Sequence, residues 1–140
     1  MKVCFVISDL KKEYAGTSVA MIKKAFERDH ETYIMEVGGF NFMHESPVDI
    51  RCKKIPKSLK YDSPDDFLNQ VKDDKVKWKT ISSEELDVLF VRNNPTEETT
   101  DRHWAEHSGL AFARAIQQQG VLVLNDANAM AHSVYRQDVF

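Results

Sequence analysis

Glycine and proline are scarce, with five and four in 140 residues. The glycines, at 16, 38, 39, 109 and 120, are placed as turns and helix caps. They form neither G-x-G-x-x-G nor G-x-x-x-x-G-K-[ST], so the two commonest phosphate-cradling loops are missing. The two cysteines, Cys4 in an apolar run and Cys52 in a polar stretch, match neither a disulfide framework nor a C-x-x-C metal site. No apolar run approaches the roughly 20 residues that span a bilayer. Met1-Lys-Val-Cys-Phe-Val-Ile-Ser8 also turns polar too early for a secretory signal. A reducing, cytoplasmic setting without a membrane partner is the expectation. Excess positive charge is lacking too. The net charge is −3, and no Lys/Arg stripe interleaves with aromatics, which argues against a nucleic-acid partner. Arg51, Lys53, Lys54 and Lys57 come nearest to a basic patch, but Asp49, Asp62, Asp65 and Asp66 surround them, and they read as a solvated loop face.

What remains is ordinary in bulk, 42% hydrophobic and 29% charged, and long enough for one domain, 1–140, with a real core. The pattern along the chain is more specific. Val3 to Ile7 reads as a short buried strand. Thr17 or Ser18 can cap a helix whose Val19, Ile22, Ala25 and Phe26 follow i, i+3, i+4 spacing. That helix should stop near Arg28-Asp29-His30, and Thr32 to Val37 reads as a second strand. Phe40–Phe42 and Ile50–Ile55 suit the arms of a hairpin closed through Glu45-Ser-Pro47. Ser63-Pro-Asp-Asp66 is a helix start, with cap, proline at the first position and acids in the first turn. Val76 to Ile81 suits an edge strand. Val88 to Val91 and Val121 to Leu124 are apolar runs of the kind buried on both faces of a parallel sheet. A helix from Thr100 or Asp101 to about Gln118 separates them, Gly120 stops it, and residues 128–140 read as helix. No internal repeat or low-complexity segment is present. This order implies a three-layer, Rossmann-like α/β domain with a mostly parallel sheet.

The chemistry-bearing residues gather after the later strands. Arg92-Asn-Asn-Pro95 follows one and Asn125-Asp126 the other, at the end where open parallel sheets bind ligands. Arg92 offers a planar fork for a carboxylate, and Asn93 and Asn94 offer carboxamides that match peptide groups. The competing reading pairs Arg92 with an acid such as Glu97 and leaves the asparagines to shape a turn. A phosphorelay receiver is disfavoured, because Arg92 stands where its phosphoacceptor aspartate belongs. His103-Trp-Ala-Glu-His107 matches H-x-x-E-H, which in zinc hydrolases sets two imidazoles on one helical face with the glutamate as base. Chance matches to so loose a pattern are common, and no third ligand is evident. Two histidines in a helix's first turns are the plainer reading.

The order Val3…Asp9, Thr17-Ser-Val-Ala-Met21, Met35-Glu36, Arg92-Asn-Asn-Pro95, Gly120-Val-Leu-Val-Leu-Asn125 and Val139-Phe140 resembles the N-terminal (pre-ATP-grasp) domain of prokaryotic-type glutathione synthetase. That family belongs to the ATP-grasp carboxylate–amine ligases. The chain departs from it at Tyr14-Ala15-Gly16, where the family has Lys-Lys-Asp, and at Asn93-Asn94, where it has Lys-Asp. Thr96 and Ala127 stand in place of prolines.

The resemblance implies a substrate-side domain. Arg92 would bind a carboxylate of an amino acid or small peptide, and Asn93 and Asn94 would shape the corner. Ser8, Asp9, Thr17, Ser18 and Asn125 would line the crevice. It also implies that ATP and Mg serve the full-length ligase through an ATP-grasp domain C-terminal to this chain, which binds no cofactor itself and is catalytically inactive alone. A homo-oligomer is compatible with it. The alternatives are a stand-alone ligand- or partner-binding regulatory module, and a zinc hydrolase using His103, Glu106 and His107.

Overall fold

A computed structural model describes residues 1–37, 39–41, 48–92, 114 and 116–124. Strand β1 (Lys2–Ile7) leads through a 3-10 turn to helix α1 (Thr17–Glu27) and strand β2 (Glu31–Glu36). The short β3 (Phe40–Asn41) and longer β4 (Asp49–Lys54) follow, then helix α2 (Pro64–Lys72), β5 (Trp78–Ser82) and β6 (Val88–Val91). Residues 116–118 are helical and precede β7 (Leu122–Leu124).

The seven strands among the described residues form one sheet. Its heart is parallel: β2 and β6 flank β1, and β7 extends β6. Along β4 the sheet turns antiparallel. β5 occupies one edge of β4 from Asp49 to Lys53. The other edge is shared, β2 pairing near Lys53–Lys54 and β3 near Asp49–Ile50. Gly39 makes that sharing possible. A Cβ there would stand 3.0 Å from the Glu36 carbonyl oxygen and 3.1 Å from that of Arg51, so a residue with a side chain would push β3 off β4.

Strand alternation separates two apolar layers. Val3, Phe5, Ile7, Ile34 and Val88 face α1 and α2, meeting Val19, Ile22, Phe67, Leu68 and Val71. Cys4, Val6, Tyr33, Met35, Leu89, Val91 and Val123 face the other side, where Ile116 of the helical segment covers them. Helices therefore lie on both faces, and the expected three-layer α/β architecture is present. β6 is less completely buried than its sequence suggests: Phe90 is only half-buried, stacked on Phe5 with ring centroids 4.8 Å apart.

The edge strand, the β3–β4 hairpin pairing and the α2 cap form as expected. Ser63 Oγ accepts from the Asp66 N–H, with Pro64 opening the helix. α1 ends at Glu27 with Arg28 as its C-cap, and Asp29 takes the left-handed conformation (φ 65°), which aspartate tolerates better than most residues. Three expectations are corrected. The N-cap of α1 is Gly16, without a side-chain cap, rather than Thr17 or Ser18; glycine is itself accepted at this position, and Ser18 is engaged elsewhere. Cys52 lies fully buried in β4 beside the core, not in a polar stretch. Arg51–Lys54 lies in β4, the expected hairpin arm, but it is not a uniformly solvated face: Lys53 is only 3% exposed. Its ammonium donates to the carbonyls of Val71 (3.0 Å), Lys72 (3.4 Å) and Asp73 (3.4 Å). The Val71 and Lys72 carbonyls are acceptors that the C-terminus of α2 leaves without helical partners, while Asp73 O also accepts the Val76 N–H at 3.1 Å. The buried lysine is a helix cap. The turn through Glu45-Ser-Pro47 and the 128–140 helix lie outside the described residues.

Candidate functional site

Where the parallel strands end together is decided at their starts. The Asp87 carboxylate accepts the Lys2 N–H at 2.7 Å, while the Asp87 N–H and carbonyl bond to Lys2 O (2.9 Å) and Leu122 N (3.3 Å). β1, β6 and β7 thus start level. At the far end the Arg92 N–H donates to Val6 O (2.9 Å) and the Val37 N–H to Ile7 O (2.8 Å). Ser8, Val37 and Arg92 consequently emerge at one edge of the sheet, the C-terminal edge where parallel α/β folds hold ligands.

The β1–α1 connection is tied down there from three directions. Asp9 Oδ1 accepts the Lys11 N–H (3.0 Å) and caps the 3-10 turn Leu10–Lys12. Glu36, at the end of β2, accepts the Leu10 N–H through Oε2 (2.8 Å), and the Leu10 side chain is buried below. From α2, Lys72 Nζ donates to Glu13 O (2.7 Å) and Lys11 O (3.3 Å). Because Lys53 fixes the end of α2 to β4, and Lys72 stands on that end, the loop is located relative to the sheet. Tyr14, 76% exposed, lies across Gly16: a Cβ at Gly16 would come within 2.6 Å of its ring.

Arg92 reaches α1. Its Nε donates to Ser18 Oγ at 3.3 Å, in the first turn of the helix, where the macrodipole presents positive potential. Among the described residues no carboxylate forms a salt bridge with Arg92 and no other acceptor holds its guanidinium. Glu13 is half-buried nearby. Burial pushes its carboxyl group above the usual carboxylate range, against the opposing pull of Lys72 and Arg92. The assembly is a guanidinium, a helix N-terminus and a carboxylate around one half-buried corner, suited chemically to small charged molecules.

The expected site residues are brought together in part. Ser8, Asp9 and Ser18 share the edge with Arg92; Thr17 is exposed on the first turn of α1. Asn93, Asn94, Asn125, His103, Glu106, His107 and Glu97 lie outside the described residues. The latter include no group of three His, Cys, Asp or Glu side chains able to hold a metal ion. They also include no helix long and apolar enough to cross a membrane. Glu13, Glu36 and Lys72 were not expected here. Glu36 carried the same signal as Arg92, a charged residue closing a strand. Lys72 carried that of a cation in a helix's last turn, which does not reveal the loop it reaches.

The family model described as prokaryotic glutathione synthetase, N-terminal domain, matches residues 1–130. No curated protein matches the chain. That match covers nearly the whole sequence, and the chain belongs to the prokaryotic glutathione synthetase N-terminal domain family.

Proposed function

We propose that this chain is the substrate-side domain of a glutathione synthetase-like, ATP-dependent carboxylate–amine ligase, and that its Arg92 corner binds a carboxylate of an amino acid or small peptide. One observation carries the reading. The Arg92 guanidinium sits at the C-terminal edge of the parallel strands, oriented through Nε by Ser18. Its terminal nitrogens have no partner among the described residues. Such a fork is preorganised for a two-pronged carboxylate contact, and the first turn of α1 adds favourable potential.

The described residues offer no evident place for ATP and magnesium. The sequence has no glycine-rich phosphate loop, and the described residues hold no acidic cluster for a cation. We therefore assign those groups to an ATP-grasp domain C-terminal to this sequence, and derive no step through them. What the present chain does is bind, orient and partly desolvate the acid.

Heteronuclear NMR titration with small amino-acid and peptide carboxylates tests this. The amide of Ser18 and the side chain of Arg92 are expected to shift, and Arg92→Met to remove the response. ATP turnover by the isolated chain, with any acid and amine, would contradict the assignment of catalysis to another domain.

A further inference from the structure

Three carboxylates stand around the strand ends near Arg92, and they are not equivalent. Asp9 accepts the Lys11 N–H and Glu36 accepts the Leu10 N–H; both hold up the loop. Glu13 does neither. Among the described residues its carboxylate accepts no hydrogen bond and forms no salt bridge, while its own backbone carbonyl is clamped by Lys72 at 2.7 Å. Its position is therefore fixed, while among the described residues its charge has no partner.

Nor is Glu13 simply the counter-ion of Arg92. Among the described residues no salt bridge joins the two, and although Arg92 and Lys72 both favour the charged carboxylate, the loss of water outweighs them and raises its pKa. A half-buried carboxylate lacking donors gains by receiving one, and most from a cation. Lys72 gives two of its three N–H donors to the carbonyls of Lys11 and Glu13, and among the described residues it forms no salt bridge with the Glu13 carboxylate. The Arg92 guanidinium reaches Ser18 in the first turn of α1, and Glu13, three residues before the Gly16 N-cap, lies near enough for the charge of Arg92 to act on its carboxyl group.

We propose that Glu13 is a specificity-determining residue: it receives the ammonium of an α-amino-acid headgroup while Arg92 receives the adjoining carboxylate. The site then selects zwitterions over plain acids. This rests on the carboxylate reading of Arg92 and narrows it. No bond is made or broken. The gain is one charge-assisted hydrogen bond in a half-buried place, about ten- to hundred-fold in affinity.

The test uses matched pairs differing only in the amine: L-glutamate and glutarate, L-cysteine and 3-mercaptopropionate, γ-glutamylglycine and glutarylglycine. In calorimetric or NMR titration at neutral pH, the amine-bearing member of at least one pair should bind about ten- to hundred-fold tighter. Glu13→Gln should bring that ratio near one without weakening the plain acid, and Arg92→Met should abolish both. The wild-type chain gives a second readout that does not depend on a variant folding: the Glu13 carboxyl carbon resonance should respond to the zwitterion and not to its partner. If wild type binds both members alike, if E13Q keeps the preference, or if the Glu13 resonance is unmoved, this inference falls and the carboxylate reading stands. If no member of any pair binds, both fall.

Discussion

Replacing Lys53 by methionine sets two opposed effects against each other. In the native fold the ammonium is buried and caps α2 through three carbonyls, one at 3.0 Å and two at 3.4 Å. Methionine fills similar volume but donates nothing. The short bond is charge-assisted and worth about 1.5–3 kcal/mol. The two long ones add little beyond the helix-dipole attraction, about 0.3–1 kcal/mol. Against this, methionine abolishes the cost of drying an ammonium, a cost visible in the lowered pKa of Lys53, with Asp74, Glu36 and Asp73 pulling it partly back. Buried charges are sometimes replaced by apolar residues without loss. Here replacement strands backbone acceptors, so the loss wins. K53M should be less stable by about 1–2 kcal/mol in urea unfolding, with an unchanged m-value. That corresponds to a fall of about 3–8 °C in Tm.

The sign of the pH dependence adds a check. Lys53 has a lower pKa folded than its ordinary 10.5, so between those two values the unfolded chain binds more protons. Wild-type stability then rises with pH across that alkaline window, and the contribution is lost as pH falls through the folded pKa. K53M lacks the rise, so the gap between the two proteins should widen there. An equally stable or more stable K53M at neutral pH would refute the capping argument.

Three further outcomes are expected. Ser18→Ala should leave the fold intact but release Arg92 Nε, weakening carboxylate binding about five-fold, the worth of roughly 1 kcal/mol of lost positioning; unchanged affinity in titration would show that Ser18 does not orient Arg92. Gly120→Ala should cost about 1 kcal/mol by denaturant midpoint, because φ there is +93° while nothing lies within 4 Å of an added Cβ; a neutral result would mean the turn relaxes freely. Cys4 and Cys52 are free and fully buried, and burial pushes the Cys52 thiol up to about 11 and that of Cys4 well above its usual value. Neither should react with iodoacetamide at pH 8 until denaturant is added, and rapid native alkylation followed by mass spectrometry would contradict their burial.

The parallel heart of the sheet was legible because its strands are buried on both faces, and only continuous apolar runs such as Val3–Ile7 and Val88–Val91 survive there. The cap on α2 was legible because Ser63, Pro64 and two aspartates act within one turn. The Arg51–Lys54 stretch misled for a definite reason. Charge pattern alone takes a lysine to be solvated, and only the tertiary placement of α2 against β4 supplies the carbonyls that let Lys53 be buried. Arg92 could be picked out by its place after a strand. Glu13 could not, since its significance depends on Lys72, far along the chain, fixing the loop that carries it, and on Arg92 closing the corner. Partners distant in sequence leave no periodic trace.

The central place of β1 also bears on how the chain reaches this structure. β1, α1 and β2 are contiguous, so that unit can assemble from local contacts as soon as it leaves the ribosome. The other edge of β1 waits for β6, whose residues register with it from about 85 positions later, as Lys2 with Asp87. At roughly 5–20 residues per second of synthesis, that edge stays open for several seconds. It is a row of unpaired amides and carbonyls beside Phe5, Val6 and Ile7, the kind of template that recruits a second nascent chain. Long-range parallel closure is slow for the same entropic reason. The strand that most firmly organises the finished domain is thus the one most exposed to misassembly while it is being made.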